Sequence, residues 1–351
     1  MIMTLDKNKV LLGFSGGVDS TAAALILKEK GYEVHGIFFN VFGPHNTESQ
    51  KRAVEVAKQL SISLILKDVS QEFGNKIKKY FFNEYTLGKT PNPCVQCNKH
   101  IKFRFMLEQA KEIGAFYIAT GHYAKLHYSD ALEKYMIKKP AALYKDQTYM
   151  LYNLNQEILK HVLFPLSHIE SKDHVRNIVS KANLPNAKTK DSQEICFIPD
   201  NNYVNFICNN YHYEPKEGNF VDKSGNILGK HRGIIHYTIG QRKGLGIALG
   251  KPVYVTDIDA VRNTVTLGND HELLENIVRS KDNNFIHLEI NKPVEAEAKI
   301  RYAAYPSKAT IFINEPGIIK TVFKQPQRAV TPGQSIVFYS GETLLGGGII
   351  I

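Results

Sequence analysis

A glycine-containing loop between a predicted strand and a predicted helix constrains the fold of this chain more than any other feature of its sequence. Residues 9–14 are a short apolar run, residues 15–20 read Ser-Gly-Gly-Val-Asp-Ser, and residues 21–30 have the apolar spacing of an amphipathic helix. A strand that leads through a short loop into a helix is the first half of a crossover connection between parallel strands. The sequence therefore predicts that the chain begins with an α/β domain.

The same alternation of strand and helix continues through the first third of the chain. Further strands are predicted at residues 34–40, 64–69 and 116–120, and further helices at residues 51–60 and 101–113. Strands separated by helices of this length indicate an α/β fold with a doubly wound parallel sheet. A polar segment with a helical pattern follows at residues 165–213.

The pattern changes after residue 217 to short β-branched runs divided by Gly, Asn, Asp and Pro. The clearest strands are predicted at residues 252–259, 263–268, 295–301, 309–314 and 335–339. Regular short strands are typical of small β-barrels or sandwiches, and a polar break at residues 279–284 divides this region. We therefore expect an α/β domain (1–164), a helical segment (165–213), a central β-rich domain (214–280) and a C-terminal β-barrel domain (281–351).

The composition limits the class of protein. The chain has 351 residues, of which 43% are hydrophobic and 22% charged, which excludes a disordered protein. Its net charge of +10 suits a polyanionic partner such as a nucleic acid, although many soluble proteins are equally basic. No apolar stretch approaches the roughly 18 residues of a membrane span, and the start of the chain lacks a signal-peptide core. We expect a cytoplasmic protein without a membrane partner.

The loop at residues 15–20 has the composition of a phosphate-binding site. Glycines let the backbone approach an anion, and the N–H groups at a helix start bind phosphate oxygens. The loop lacks the lysine of a Walker A motif and the three spaced glycines of a dinucleotide fingerprint. A carboxylate beside phosphate is repelled unless a cation lies between them, so we infer that Asp19 binds Mg²⁺. The alternative is a tight turn that binds no ligand.

The chain has four cysteines: Cys94, Cys97, Cys196 and Cys208. Cys97 is close in sequence to Lys99 and Lys102, and a thiol beside a cation has a lowered pKa and is nucleophilic. Two reactive thiols can pass sulfur between them as persulfide and disulfide.

Metal binding is the alternative role for these thiols. A structural zinc site needs a second Cys pair, which the chain lacks. Cys94, Cys97 and Cys196 are enough to hold a [4Fe-4S] cluster with one open iron, so that hypothesis stays open. Cys208 is predicted to be an ordinary buried thiol.

Two resemblances follow from these motifs. The loop resembles that of the PP-loop ATP pyrophosphatases, a superfamily that also contains amide synthetases and lysidine synthetases. With its cysteine segments, the chain resembles the tRNA-specific 2-thiouridylases along nearly its whole length. The segments that carry this resemblance are GFSGGVDS, TPNPCVQCNKHIKF, IATGHY, KDQTYML, DSQEICFI, HYTIGQRKGLGI and AVTPGQSIVFYSGETLLGGGII.

The resemblance implies an ATP-dependent transferase that 2-thiolates uridine 34 of tRNA. It implies that the C2 oxygen is adenylated, that sulfur is transferred as a persulfide, and that AMP and pyrophosphate are released. Cys97 corresponds to the nucleophile and Cys196 to the persulfide-bearing cysteine. The implied cofactors are ATP and Mg²⁺. The implied partners are tRNA, with glutamate, glutamine and lysine acceptors, and a sulfur-relay protein or cysteine desulfurase as sulfur donor.

The resemblance also implies the remaining site residues. Residues 1–164 correspond to the PP-loop ATP-binding catalytic domain, 165–213 carry the second catalytic cysteine, and 214–280 bind tRNA. The residues implied to bind ATP are Gly13, Phe14, Ser15, Gly16, Gly17, Val18, Asp19, Ser20, Phe39 and Gly121. Those implied to lie against the target base are Asn92, Pro93 and Cys94, and those implied to contact tRNA are Lys145, Asp146, Gln147, Arg301 and Tyr302. By charge, Arg242 and Lys243 are further candidates for phosphate contacts.

Two departures from the family pattern stand out. Many relatives have Asp where this chain has Cys94, so the acid/base role assigned to that carboxylate must fall to a thiol, a water or another group. The segment after Phe39 is also shorter than the acidic, Cys-containing stretch of many relatives.

Two alternative functions stay open from the sequence. An amide-forming synthetase would not need Cys97 or Cys196, and a non-catalytic RNA-binding module would not turn over ATP.

Overall fold

The computed structural model describes residues 5–43, 47–184, 186, 195–198 and 200–351. Its α-helices are α1 (Val18–Glu29), α2 (Glu48–Gln59), α3 (Ser70–Phe73), α4 (Lys79–Thr86), α5 (Pro93–Cys97), α6 (Phe103–Glu112), α7 (Gln156–Leu159), α8 (Lys172–Lys181) and α9 (Tyr203–Tyr211).

Its strands are β1 (Asp6–Gly13), β2 (Glu33–Asn40), β3 (Ser63–Asp68), β4 (Ala115–Ala119), β5 (Lys125–Ser129), β6 (Lys134–Lys138), β7 (Val162–Leu163), β8 (Gly218–Val221), β9 (Ile227–His231), β10 (Tyr254–Asp259), β11 (Thr264–Gly268), β12 (Leu274–Phe285), β13 (Val294–Lys299), β14 (Ser307–Glu315), β15 (Ile318–Arg328), β16 (Ser335–Ser340) and β17 (Thr343–Ile350).

These elements form two compact units. The first contains Met1–Ile77, Cys94–Gln193 and Glu342–Leu344, and the second contains Lys78–Pro93, Glu194–Gly341 and Leu345–Ile351. The helical segment predicted at residues 165–213 is therefore divided, because α8 belongs to the first unit and α9 to the second. Residues 187–194, which include the start of the DSQEICFI motif, lie outside the described residues.

The first unit is built on a five-stranded sheet in the order β3-β2-β1-β4-β7. Each neighbouring pair is parallel, which confirms the doubly wound α/β fold. From β1 the chain proceeds through β2 to β3 on one side, whereas β4 lies on the other side of β1. In sheets of this kind ligands bind at the carboxyl ends of the strands where the order reverses, here β1 and β4.

Apolar packing holds helices against this sheet. Val10, Leu11 and Leu12 of β1 are fully buried, as expected of a central parallel strand covered on both faces. Val175 and Val179 of α8 belong to the same core as the alanines of α1. Burying each valine contributes on the order of 1.5–3 kcal/mol, so α8 is held firmly beside α1.

The first unit also contains a hairpin that the sequence did not predict. Strands β5 and β6 pair antiparallel, and β6 continues the pairing with Thr343 and Leu344. The hairpin escaped prediction because β5 is mostly exposed and carries Lys125, His127 and Ser129 rather than a regular apolar alternation.

The second unit contains two β-sheets. Strands β10, β11, β8 and β9 form a four-stranded sheet. A second, antiparallel sheet runs β12-β15-β14-β13-β16-β17 and closes through pairing of β17 with β12, which makes a six-stranded barrel. Its interior is apolar and includes Val278, Ile311, Phe323, Ile336 and Phe338. The predicted β-rich second half is confirmed.

Residues 279–284, where we predicted a polar break, lie inside β12. Pairing with β17 shifts register between Lys281 and Asn284, and Asp282 has a φ of +51°. The Ser280 hydroxyl donates to Asn283 Oδ1 at 2.7 Å. These polar side chains therefore form a β-bulge, which resembles a linker in sequence because both favour Ser, Asp and Asn. The expectation of a break at this point was wrong.

None of the helices in the described part of the chain is long and apolar enough to cross a membrane.

Candidate active site

The predicted phosphate loop connects β1 to α1. Gly17 is the N-cap of α1, and the Ser20 hydroxyl donates to the Gly17 carbonyl at 3.0 Å. Gly16 has a φ of +68°, and a Cβ at this position would lie 2.7 Å from Cα of Ala53 on α2. Only glycine fits there. Because Gly17 has no side chain to cap the helix, the first N–H groups of α1 are suited to an anion.

Two further residues implied to bind ATP lie at the carboxyl ends of the strands on either side of β1. Gly121 comes just after β4, and a Cβ there would lie 3.2 Å from the Ser20 nitrogen and 3.3 Å from Asp19 Cβ. Phe39 is half-buried near the end of β2, which pairs with β1. The structure thus places Phe39, Gly121 and the loop at the carboxyl ends of three adjacent strands.

The carboxylate of Asp19 has two donors that the sequence did not reveal. Its Oδ1 accepts from Lys172 Nζ at 2.8 Å and from the Tyr123 hydroxyl at 2.7 Å. The Lys172 side chain is only 11% exposed, against 35% for Asp19. Lys172 is 153 residues away from Asp19 in the chain, and no spacing pattern relates residues at that distance.

Asn186 is another residue that contacts the loop and that the sequence did not reveal. Its side chain is buried and its Nδ2 donates to the Gly16 carbonyl at 2.9 Å and to the Thr21 hydroxyl at 2.7 Å. It therefore fixes the loop against the start of α1.

The loop fits ATP and a single bound cation. The close approaches at Gly16 and Gly121 leave backbone rather than side chains around the helix start. Mg²⁺ takes one or two protein carboxylates together with substrate phosphates, and Asp19 supplies one. Within the described ranges, no group of three or more His, Cys, Asp and Glu side chains is placed to hold a metal ion.

The Cys-x-x-Cys segment lies on a helix in the same unit as the loop. Cys94 is the second residue of α5 and Cys97 the last, and a π-helical turn at Asn98–Lys102 leads into α6. The Asn98 side chain donates to the Met150 carbonyl at 2.9 Å and fixes this turn. Met106 on α6 packs at the end of β1, just before the loop, since a Cβ at Gly13 would lie 3.3 Å from its sulfur.

The pKa of Cys97 was predicted to be lowered, and this was wrong. Desolvation by the surrounding protein raises the pKa of Cys97, and the positive charge of Lys102 offsets only part of that effect. Desolvation also raises the pKa of Cys94, and Lys102 again offsets part of that effect, although the Cys94 side chain keeps contact with solvent. The sequence showed the nearby lysine, which lowers the pKa of the thiol, but it could not show the desolvation, which raises that pKa by more.

Cys196 lies in the second unit and is exposed. The next residue, Phe197, is buried and packs edge-on against Phe81 of α4, with ring centroids 5.4 Å apart. Phe206 of α9 packs on both rings. Burial lowers the pKa of Lys78, whereas the electrostatic influence of Cys196 raises it, which places a cation near this thiol. Cys208 is half-buried on α9.

Asn92 and Pro93, two of the residues implied to contact the target base, belong to the second unit, where Thr90 is held by the turn at Pro332. The Thr90 N–H donates to the Pro332 carbonyl at 2.9 Å, and Gln334 Nε2 donates to the Thr90 carbonyl at 2.9 Å. Asn92 is half-buried and Pro93 is buried, so Pro93 presents little surface to a base. Thr90 and the turn at Pro332 were not singled out from the sequence as a positioning contact.

The residues implied to contact tRNA differ in accessibility. Gln147 is tied to Tyr123 by two hydrogen bonds, one from its N–H at 3.1 Å and one to its Oε1 at 3.0 Å. Asp146 accepts from the N–H and hydroxyl of Thr148 at 2.9 Å and 2.6 Å. These two side chains therefore shape a turn, while Lys145 beside them is half-exposed.

The candidate tRNA-binding residues of the second unit differ in exposure. Arg242 and Lys243 are exposed. Arg301 is half-buried, and its Nη2 lies 3.4 Å from the Arg328 carbonyl, to which it donates. Tyr302 is 39% exposed, with Lys299 Nζ 5.6 Å from its ring centroid.

Together, a parallel sheet with its order reversing at β1, a glycine loop at a helix start and a cysteine helix in the same unit define an ATP-utilising enzyme of the PP-loop class.

Family models match three stretches of the chain. They describe a tRNA methyl transferase HUP domain over residues 8–200, a tRNA methyl transferase PRC-barrel domain over 205–269 and an aminomethyltransferase beta-barrel domain over 275–350.

Relatives of known name match the whole chain. The tRNA-specific 2-thiouridylase MnmA of Acetivibrio thermocellus is 48% identical over 361 residues, covering 99% of this chain and 100% of the relative. The tRNA-specific 2-thiouridylase MnmA 2 of Clostridium botulinum is 49% identical over 352 residues, covering 99% of each. A solved 4-thiouridine synthetase–RNA complex with bound ATP covers 54% of this chain and 44% of its own, at 16% identity and a TM-score of 0.39, too low to support any argument.

The chain belongs to the tRNA-specific 2-thiouridylase family. It is a tRNA sulfurtransferase that 2-thiolates tRNA and uses ATP.

Proposed function

We propose that the enzyme 2-thiolates uridine 34 of tRNA by adenylating the C2 oxygen and then transferring sulfur through Cys196 and Cys97. The observation that carries this proposal is that the phosphate loop and Cys97 lie in one unit, in which α6, joined to the Cys97 helix by the π-helical turn, packs Met106 against Gly13 at the end of β1. A nucleotide site and a thiol on one rigid support are what a reaction that joins adenylation to sulfur transfer requires.

The first step activates the base. The uridine is extruded from the anticodon loop, which costs at most a few kcal/mol in a single-stranded segment. Its C2 oxygen attacks the α-phosphate of ATP, and pyrophosphate leaves. The N–H groups at the start of α1 stabilise the charge that develops on the phosphates, and Mg²⁺ would supply further charge neutralisation at Asp19 when bound.

The second step moves sulfur. The terminal sulfur of a Cys196 persulfide attacks C2 and displaces AMP, which leaves Cys196 joined to the base through a disulfide bond. The Cys97 thiolate then attacks Cys196 Sγ, so that 2-thiouridine departs with its sulfur and a Cys97–Cys196 disulfide forms. An external thiol reductant restores both cysteines. In the alternative order, Cys97 attacks the persulfide first and releases sulfide, which attacks C2.

Cys97 needs to lose a proton before it attacks. Its pKa is raised by burial in the free protein, so the resting thiol is protonated at neutral pH. Lys102 is the nearby cation that favours the thiolate. Cys94 replaces the carboxylate of many relatives, and its own pKa is raised. We therefore infer that a water or another group at the bound base, rather than a Cys94 thiolate, accepts the proton that Cys97 loses.

Recognition of tRNA is assigned to the basic and target-base residues. Asn92, Pro93 and Cys94 would lie against uridine 34, and the net charge of +10 favours the polyanion. The exposed Arg242 and Lys243 are suited to phosphate contacts, and Lys145, Arg301 and Tyr302 are the other accessible candidates. We expect glutamate, glutamine and lysine tRNAs as substrates, a sulfur-relay protein or cysteine desulfurase as donor, and activity in the cytoplasm, where these tRNAs are used.

An iron–sulfur enzyme is the chemical alternative at Cys94, Cys97 and Cys196. In the part of the chain that the structure describes, these thiols do not form a metal-binding group. Anaerobic purification distinguishes the two mechanisms, because a bound cluster gives visible absorbance and a persulfide enzyme is colourless. The cluster mechanism would be favoured if the wild type absorbs visible light and the Cys94→Ala variant loses both that absorbance and tRNA thiolation.

The stoichiometry of the nucleotide products tests adenylation directly. Each 2-thiouridine formed is expected to release one AMP and one pyrophosphate, measured by chromatography of a reaction with purified tRNA. Asp19→Asn is expected to lower the yield of all three products together, whereas the matched variant Asp173→Asn, an exposed carboxylate on α8, leaves them unchanged. Formation of ADP and phosphate instead would contradict the adenylation step.

A further inference from the structure

We propose that Lys172 is a phosphate-binding residue of the nucleotide site, and that Asp19 holds its ammonium group in position for the pyrophosphate part of ATP. The contact that supports this is the 2.8 Å bond between Lys172 Nζ and Asp19 Oδ1. The inference rests on the proposed function, since it adds a residue to the same ATP site.

The fold brings Lys172 to the loop through the packing of two helices. Lys172 is the first residue of α8, which follows the N-cap Ser171. Asp19 is the second residue of α1. Because Val175 and Val179 anchor α8 in the core that α1 shares, the two helix starts are held beside each other.

The charges at this position call for an anion. A helix start carries a partial positive charge and disfavours a cation, so a lysine there is unfavourable unless a negative group faces it. Lys172 adds a full positive charge where two helix starts meet, and Asp19 provides a single negative charge. The N–H groups at the start of α1 and the Lys172 ammonium group thus offer positive charge on one side of Asp19 to the negative charges of a triphosphate.

The ammonium group is also fixed in place. The Lys172 side chain is 11% exposed, and its partner oxygen is held on a second side by the Tyr123 hydroxyl at 2.7 Å. A preorganised cation stabilises charge that develops on a leaving group more effectively than a mobile one. As the bond to the α-phosphate breaks, negative charge accumulates on pyrophosphate, next to the first turns of α1 and α8.

Binding of inorganic pyrophosphate, measured by isothermal titration calorimetry in EDTA, isolates the lysine from any divalent cation. Lys172→Met is expected to weaken binding about 10–100-fold, the range for one charge-assisted hydrogen bond. Lys181→Met is the matched control, because Lys181 is the exposed last residue of the same helix. Its affinity is expected to stay within about two-fold of wild type, as for an exposed charge.

A measurement on the wild-type protein covers the case in which Lys172→Met does not fold. Acetylation of lysines by acetic anhydride, followed by mass spectrometry, is expected to slow several-fold at Lys172 when pyrophosphate is added, and to stay unchanged at Lys181. Equal affinity of folded Lys172→Met and wild type, or no pyrophosphate binding by wild type in EDTA, or no protection of Lys172, would overturn the inference.

These outcomes are separate from failure of the proposed function. If wild type makes 2-thiouridine with release of AMP and pyrophosphate while Lys172→Met binds pyrophosphate normally, only the role of Lys172 fails. If wild type makes no adenylated or thiolated tRNA, the proposed function itself fails, whatever the affinity for pyrophosphate.

Discussion

At the scale of single residues, the surroundings of each ionisable group decide what it can do. The Asp19 carboxylate accepts hydrogen bonds from the Lys172 ammonium group and from the Tyr123 hydroxyl, so its charge is partly neutralised within the site. Cys97 is a half-buried thiol whose pKa desolvation raises, and the charge of Lys102 offsets part of that effect. The sequence identified both side chains as candidate site residues. It did not reveal the distant residues that donate to Asp19, or the desolvation that raises the pKa of Cys97. Protonation and charge at these sites therefore follow from tertiary packing.

The raised pKa of Cys97 leads to a prediction about its reactivity. Alkylation by iodoacetamide requires the thiolate, so the rate at Cys97 is expected to be low at pH 7 and to increase up to and beyond pH of about 8.5, the ordinary cysteine pKa. Lys102→Met is expected to slow alkylation further at any given pH, since the lysine charge favours the thiolate. Peptide mass spectrometry gives the rate for each cysteine. A rate at Cys97 that does not change between pH 6 and 8 would refute this assignment.

At the scale of elements, aromatic packing between helices positions the Cys196 segment. Phe81 of α4 is fully buried and packs on Phe197 and on Phe206 of α9, at 5.4 Å and 6.2 Å between ring centroids. Stacking of Tyr85 on Tyr203 and of Phe82 on Tyr211, at 4.5 Å and 4.2 Å, extends the same contact along α4. The residue after Cys196 is thus anchored, while Cys196 itself stays accessible to a sulfur donor.

Truncating the central ring of this cluster measures its strength. Phe81→Ala is expected to lower the free energy of unfolding by about 3–5 kcal/mol, because it leaves a cavity between α4 and α9. Lys79→Ala, at an exposed position two residues before Phe81 on the same helix, is expected to change it by less than about 0.5 kcal/mol. Urea unfolding followed by circular dichroism provides both values. Equal effects of the two substitutions would show that the cluster is not a packing centre.

The elements also show where sequence patterns are informative. Strands β1 to β4 and helices α1 and α2 were predicted within about three residues, because a buried parallel strand is apolar throughout and its helices keep a regular period. The bulge in β12 was missed because its pairing partner β17 is distant in sequence and its side chains are polar. The hairpin of β5 and β6 was missed because β5 is mostly exposed and lacks a regular apolar alternation. The glycine loop was placed correctly between a strand and a helix, but Lys172 and Asn186 reach it only through the packing of a later segment.

At the scale of the whole molecule, several histidines are held neutral. Burial lowers the pKa of five of them below the usual range: His100, His122, His161, His231 and His236. His122 shows the largest shift, and Lys102 adds to it. The unfolded chain therefore binds more protons than the folded one below pH of about 6.5, and the free energy of unfolding decreases as the pH falls.

This linkage predicts an acid-sensitive fold. The urea midpoint is expected to fall between pH 7.5 and pH 5.5, a window in which carboxylates with ordinary or lowered pKa values stay ionised. His122→Gln is expected to reduce that fall, because glutamine takes up no proton in the unfolded chain. A midpoint that rises towards pH 5.5, or the same pH dependence in wild type and His122→Gln, would contradict the assignment of a neutral His122.

The pairing of Cys97 with Cys196 is the central claim, and sulfur transfer by single-cysteine variants tests it most directly. Purified wild type, Cys97→Ala, Cys196→Ala and Cys208→Ala would be given ATP, tRNA and a ³⁵S-labelled persulfide donor, and 2-thiouridine and tRNA affinity would be measured in parallel. We predict that Cys208→Ala labels tRNA like wild type, whereas Cys97→Ala and Cys196→Ala bind tRNA normally but transfer no sulfur. Labelling of tRNA by both of these variants at the wild-type rate would contradict the account.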